Sequence, residues 1–143
     1  MSATFFQDVT TALQNAAAAS IGDALPIVRD NASAPAGKRW ARVTIRWADD
    51  QQQVTFGTGT SARHRGSGLL WVQFFDVLQS ASAGQWVLQQ CDVVSTALRA
   101  LTLPDVGTVL QSPSLLPAGP DGGFYGGGIR VRFTCEDVFT TST

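Results

Sequence analysis

Trp40-Ala41-Arg42-Val43-Thr44-Ile45-Arg46-Trp47 is the stretch on which the fold turns. Ala41, Val43, Ile45 and Trp47 fall on one side and Trp40, Arg42, Thr44 and Arg46 on the other, the period-two pattern of a half-buried strand. A strand of this kind needs an apolar layer against one face and neighbours along its edges. The chain offers both. Gly68 to Phe75 is apolar on each face, with Leu70, Val72 and Phe74 set against Leu69, Trp71 and Phe75, which predicts a central strand. Ile129, Val131, Phe133 and Cys135 alternate with Arg130, Arg132 and Thr134, so the chain closes on another. Gln53 to Phe56 and Val106 to Gln111 read as shorter strands. A short extended piece is expected at Pro26–Arg29, inside a connecting arm from Ile21 to Gly37.

The covering layer comes from two helical patterns. From Phe5 to about Ala19, Phe6, Val9, Leu13 and Ala16 recur at steps of three and four, and Thr4 with Gln7 offers a capping box. From Gln85 to Leu101, Val87, Cys91, Val94, Leu98 and Leu101 form one stripe, with Ser82 and Gln85 as the cap and Pro104 beyond the end. The order of elements predicts a single domain spanning residues 1–143, an α+β two-layer fold with a mainly antiparallel sheet of four to five strands packed against two helices. Gly57–Gly66 reads as a polar loop carrying Arg63-His64-Arg65, and Ser112–Gly128 as a Pro/Gly-rich connection.

Composition narrows the function classes. The 143 residues carry 10 Lys+Arg against 11 Asp+Glu, with 15% charged and 44% hydrophobic residues, which fits neither a disordered acidic chain nor a basic nucleic-acid coat. No apolar run is long enough for a membrane span, and the first basic residue is Arg29, so neither a span nor a signal peptide is expected. Cys91 and Cys135 are too few and too far apart for a disulfide scaffold or a CxxC metal site. The sole imidazole, His64, lies between two arginines and reads as a solvated loop residue. Asp49-Asp50 and Glu136-Asp137 read as strand ends, not metal ligands. Gly57-Thr58-Gly59-Thr60-Ser61-Ala62 matches a dinucleotide fingerprint but no helical stripe follows it. Gly122 to Gly128 lacks the Lys-Ser/Thr of a phosphate loop. No catalytic residue, cofactor or metal is therefore predicted, and the chain does not read as an enzyme.

Charge is segregated along the chain. Residues 1–37 set Arg29 against Asp8, Asp23 and Asp30. Residues 38–65 set Lys38, Arg39, Arg42, Arg46, Arg63 and Arg65 against Asp49 and Asp50. The remainder carries Arg99, Arg130 and Arg132 against six acids. A basic face and an acidic one suit head-to-tail association of identical subunits. Trp40 beside Arg42 and Arg46 either forms an interface surface or stacks internally. Phe124 and Tyr125, set among glycines, either reach a neighbour as an aromatic tip or fold back onto the domain.

Several segments in order carry a resemblance. They are the amphipathic N-terminal helix, Leu25-Pro26-Ile27-Val28-Arg29-Asp30-Asn31, Trp40 to Ile45, and Arg65-Gly66-Ser67-Gly68-Leu69-Leu70-Trp71-Val72-Gln73-Phe74-Phe75. Ala83-Gly84 before a helix and Phe124-Tyr125 with Ile129-Arg130-Val131-Arg132-Phe133 complete the set. Together they resemble the tail terminator and tail-terminator-like proteins of long-tailed bacteriophages over nearly the whole chain. The resemblance implies a structural virion protein that caps the tail tube as a homo-hexameric ring, ends tube polymerisation and presents the head-joining surface. Its partners would be itself, the tail tube protein and the head-tail connector. It would be a monomer or ring in isolation, and DNA would only pass through the lumen. Its place would be the virion tail, after assembly in the bacterial cytoplasm. The subunit, tube or connector contacts expected are Trp40, Arg42, Arg46, Arg63, Arg65, Phe124, Tyr125, Arg130 and Arg132. The long Ser112–Gly128 stretch departs from the family pattern. A nucleic-acid-binding module, a related neck or head-completion protein, and an enzyme or small-ligand protein with a Gly-rich loop are the alternatives.

Overall fold

Two seventeen-residue strands, β4 (Ser61–Val77) and β8 (Phe124–Thr140), pair antiparallel along their whole length and form the spine of the sheet. A computed structural model describes residues 5–22, 25–28, 39–48, 53–56, 61–77, 83–103, 108–121 and 124–140. Their elements run α1 (Phe5–Ile21), β1 (Ile27–Val28), β2 (Trp40–Trp47), β3 (Gln53–Phe56), β4, α2 (Ala83–Arg99), β5 (Thr108–Leu110), β6 (Ser114–Leu115), β7 (Gly119–Asp121) and β8. This is an α+β fold in which one mixed sheet packs against two helices. β1 joins β2 in parallel and every other pairing is antiparallel.

Each long edge of the spine is covered by interrupted strands. β2 pairs with β4 from Gly68 to Phe75, and β3 with β4 from Ala62 to Arg65. On the far side β5, β6 and β7 pair in turn with successive parts of β8. Pro113 and Pro117 fall between these short pieces and Pro120 lies in β7. Proline donates no ladder hydrogen bond and is tolerated at an edge but not in a central strand. The stretch Ser112–Gly128, expected to be a connection, thus contributes two edge strands and the start of β8.

The helices cover one face only. Val9, Leu13 and Ala17 of α1 and Val87, Cys91, Val94 and Leu98 of α2 meet Ala41, Val43, Leu70, Val72, Phe74, Ile129, Val131, Phe133 and Cys135 in one buried cluster. Each large side chain removed from water there contributes about 1.5–3 kcal/mol. The helical stripe is close to the expected one, with Ala17 in place of Ala16 at its centre and Leu101 half-buried beyond the end of α2. α1 ends at Gly22, whose φ of 85° places it in the left-handed region and lets its N–H donate to the Ala18 carbonyl at 3.0 Å.

The polar loop expected over Gly57–Gly66 is the main correction. From Ser61 onward the chain is already in β4, and Gly66 and Gly68 lie within the strand. A Cβ on Gly66 would lie 2.9 Å from Trp47 Cζ3 and 3.0 Å from Phe6 Cε1, and one on Gly68 would lie 2.8 Å from Phe133 Cζ. These glycines admit aromatic rings to the helix-covered face: Trp47 meets Phe6 and Phe133 edge-on, each at 5.1 Å between centroids. Glu136 and Asp137, expected at a strand end, lie within β8 because its pairing with β4 continues to Thr140. The predicted caps Thr4 and Ser82, the stop Pro104, Asp49-Asp50 and most of the arm between Ile21 and Gly37 lie outside the described residues. No helix among the described residues is long and apolar enough to cross a membrane.

Candidate assembly surface

The register assigns the rest of the sheet to the face the helices leave open. Residues directly opposite in an antiparallel ladder share a face. The rows Arg42–Gln73–Gly128, Thr44–Trp71–Arg130 and Arg46–Leu69–Arg132 therefore lie side by side, away from α1 and α2. Arg46, Arg130 and Arg132 are exposed, while Leu69, Trp71, Gln73 and Arg42 are half-buried. Four arginines thus surround a tryptophan and a leucine. Among the described residues none of the four has an ion-pair partner, and the Arg42 Nε and Trp71 Nε1 donors are buried without an acceptor.

One end of this face is closed by the chain itself. Trp40 is 3% exposed, stacks on Phe75 at 4.1 Å and 13°, and receives the edge of Phe124 at 5.6 Å. Val28 completes the cluster, and the Arg42 guanidinium sits 5.1 Å from the Trp40 ring centroid. Of the two readings of Trp40, internal stacking is the one found. Trp40 lies on the arginine side of β2 as the alternation required, but the neighbouring strands bring two more rings over it. Of the two readings of Phe124-Tyr125, the rings fold back: Phe124 joins Trp40, and Tyr125 packs against the main core with its hydroxyl near Gly84 at the start of α2. Arg42, Arg46, Arg130 and Arg132 share one face of the sheet. Positions 63 and 65 pair with Val138 and Glu136 further along the same spine, with the same parity as Leu69 and Trp71.

Sequence reasoning missed a second polar feature, on the helix side. Asp76 is 2% exposed, accepts from Arg39 Nε at 3.0 Å and from the Val77 N–H at 2.7 Å, and leaves Oδ2 without a partner. Arg39 lies over the Trp86 ring at 4.6 Å from its centroid, so the pair ties the start of β2 and the end of β4 to α2. The one available signal was an acid directly after a strand apolar on both faces.

A groove of about 350 Å³ beside the Trp40 cluster is lined by Gln73, Phe75, Leu116 to Pro120 and Gly126 to Gly128, with Gln73 as its one polar side chain. No group of three or more His, Cys, Asp or Glu able to hold a metal occurs among the described residues. Cys91 and Cys135 are buried free thiols, each pushed up to about 11 chiefly by burial. Asp92 adds to the rise at Cys91, and at Cys135 a hydrogen bond with the Gly66 backbone works against it. Such thiols are poor nucleophiles at neutral pH.

No family model and no curated protein matches the sequence. Among solved structures, a chain whose designation names no function is 18% identical, with a TM-score of 0.48 over 94% of this chain and 96% of that one.

Proposed function

We propose that this chain is a structural assembly subunit that works as a tail-terminator-like ring component, capping a bacteriophage tail tube and offering a surface to the head connector. The observation that carries the reading is the open sheet face, where Leu69 and Trp71 lie among Arg42, Arg46, Arg130 and Arg132 with no covering helix or strand among the described residues. β4 has the composition of a strand buried on both sides, yet its own helices cover one. An aromatic and aliphatic centre rimmed by arginine is the composition of a protein contact surface. Binding there requires shape and charge matching and no covalent chemistry. The order of sequence segments points the same way, toward the terminator families.

Two experiments test this. Tails assembled with the gene deleted should have uncontrolled tube lengths in electron micrographs, and tails of normal length would reject termination. Arg46→Glu with Arg132→Glu should abolish complementation of that deletion while the melting temperature of the purified variant stays at the wild-type value, since both side chains are exposed.

A further inference from the structure

Resting on that assembly reading, we infer that the open sheet face takes an extended, acidic segment of a different protein, with small or apolar residues in a glycine-floored groove and carboxylates on the arginines beyond it. The groove and the arginine rows form one continuous surface. Gly126 lies opposite Phe75 on one side and Gly119 on the other, and Gly128 lies opposite Gln73, its carbonyl accepting the Leu116 N–H at 2.8 Å. Two successive open-face positions of β8 thus carry no side chain. The groove of about 350 Å³ runs over them, between Gln73 with Phe75 and the stretch Leu116 to Pro120. The next two open-face positions of β8 are Arg130 and Arg132, beside Trp71 and Leu69. From the Phe75 row to the Leu69 row the strand rises about 20 Å, room for an extended segment of similar length lying along it.

Charge selects the occupant. Arg42, Arg46, Arg130 and Arg132 have no ion-pair partner among the described residues, and the three rows they occupy carry no carboxylate. Asp121 and Glu136 lie by register beyond the two ends of this stretch. Guanidinium groups pair with carboxylates bidentately, and the Leu69–Trp71 centre calls for a partner that brings apolar side chains as well. A nucleic acid fits less well. Its bases need open ring faces, whereas Trp40 is stacked on Phe75 and Trp71 is half-buried, and the chain as a whole has a net charge of -1. Nor do the described residues of a second copy supply such a segment. Asp76 is buried in its pair with Arg39, Asp8 lies on α1 among Gln7, Thr11 and Asn15, and Asp92 shares the outward side of α2 with exposed Arg99. Asp121, Glu136 and Asp137 sit in strands already paired within the sheet.

Selection from a library of random nonapeptides on the purified chain, followed by fluorescence anisotropy of the enriched sequences, tests the inference. Enriched peptides should carry two or more acids flanking small or apolar residues. Their affinity should fall by about tenfold or more in Arg130→Glu with Arg132→Glu. It should fall similarly in Gly119→Leu, which fills the groove from a position where a Cβ meets nothing within 4 Å. Both variants should melt with the wild type, so a lost fold does not explain lost binding. The inference is overturned if no peptide is enriched over the arginine variant, if the enriched peptides lack acids, or if neither variant weakens them. It is overturned as well if a short oligo-dT strand binds more tightly than the peptides and is released by the same arginine changes, which makes the face a nucleic-acid site. Self-association of the wild type in sedimentation velocity, lost in the arginine variant, would assign the face to a second copy; the inference then fails and the assembly reading stands. Normal tail lengths in the deletion, together with acidic-peptide binding, would instead remove the assembly reading and leave the peptide site in place.

Discussion

Replacing Gly68 with alanine adds one methyl group and should cost more than most core truncations of similar size. A Cβ at this position falls on the Arg46 carbonyl oxygen of β2 and 2.8 Å from Phe133 Cζ. The carbonyl belongs to the β2–β4 ladder and cannot turn aside without breaking it. Phe133 is fully buried and held by Trp47 edge-on, so it has little room to retreat. Overpacking of a dense core costs about 1–3 kcal/mol, and the reduced freedom of alanine in the unfolded chain returns about 0.4–1 kcal/mol. With a backbone atom among the obstacles the upper part of that range applies, a net loss of about 2 kcal/mol. For a chain of this length that corresponds to about 6–7 °C in melting temperature. Urea unfolding followed by circular dichroism should show a lower midpoint at an unchanged slope. Gly119→Ala, where nothing lies within 4 Å, is the control and should stay within about 0.5 kcal/mol of wild type. The reasoning also requires the penalty to shrink when Phe133 is first shortened to leucine. Gly68→Ala with wild-type stability, or a penalty unchanged in the Phe133→Leu background, would refute it.

Other expectations are briefer. Asp76→Ala should cost about 1–3 kcal/mol by leaving the half-buried Val77 N–H without its acceptor, while Asp76→Asn, which keeps an acceptor, should cost less; equal losses would place the effect elsewhere. Cys91 and Cys135 should resist a thiol reagent at pH 8 until the chain is unfolded. Their folded-state values near 11 lie above the ordinary 9.0, so the unfolded chain ionises first: the urea midpoint should be insensitive to these thiols below pH 9 and fall between 9 and 11. If the four open-face arginines instead engage phosphates, binding to DNA should fall with log salt at a slope of about −3.6; no binding at low salt removes that alternative.

Much of the fold is legible in the sequence because the helix-covered face is aliphatic and strictly periodic. Val87, Cys91, Val94 and Leu98 sit at helical spacing, and Ala41, Val43 and Ile129 to Cys135 alternate. The extent of β4 and β8 was harder to read, since Gly66, Gly68 and Gly126 to Gly128 carry the local signature of loops. What overrides it is tertiary: rings from α1, β2 and β8 occupy the space at Gly66 and Gly68, and Val87 of α2 approaches Gly127. The arginine face followed from alternation alone. Trp40 did not, because its partners Phe75 and Phe124 come from distant strands and no local pattern announces that they converge on it. Asp76 offered only the sign of an acid directly after an apolar strand, since its pairing with Arg39 depends on the β2–β4 register.

The spine also governs how the molecule is made. Val77, where β4 ends, and Phe124, where β8 begins, are partners across the ladder, yet α2 and three edge strands separate them in the chain. On a ribosome that releases the polypeptide from its N-terminus, β4 emerges long before the strand that completes it. Its apolar residues then have only β2, β3 and the nascent helices for shelter. Closing so long a loop is entropically slow, so the late arrival of β8 is the expected rate-limiting event, and the interval before it is when this chain is most exposed to aggregation.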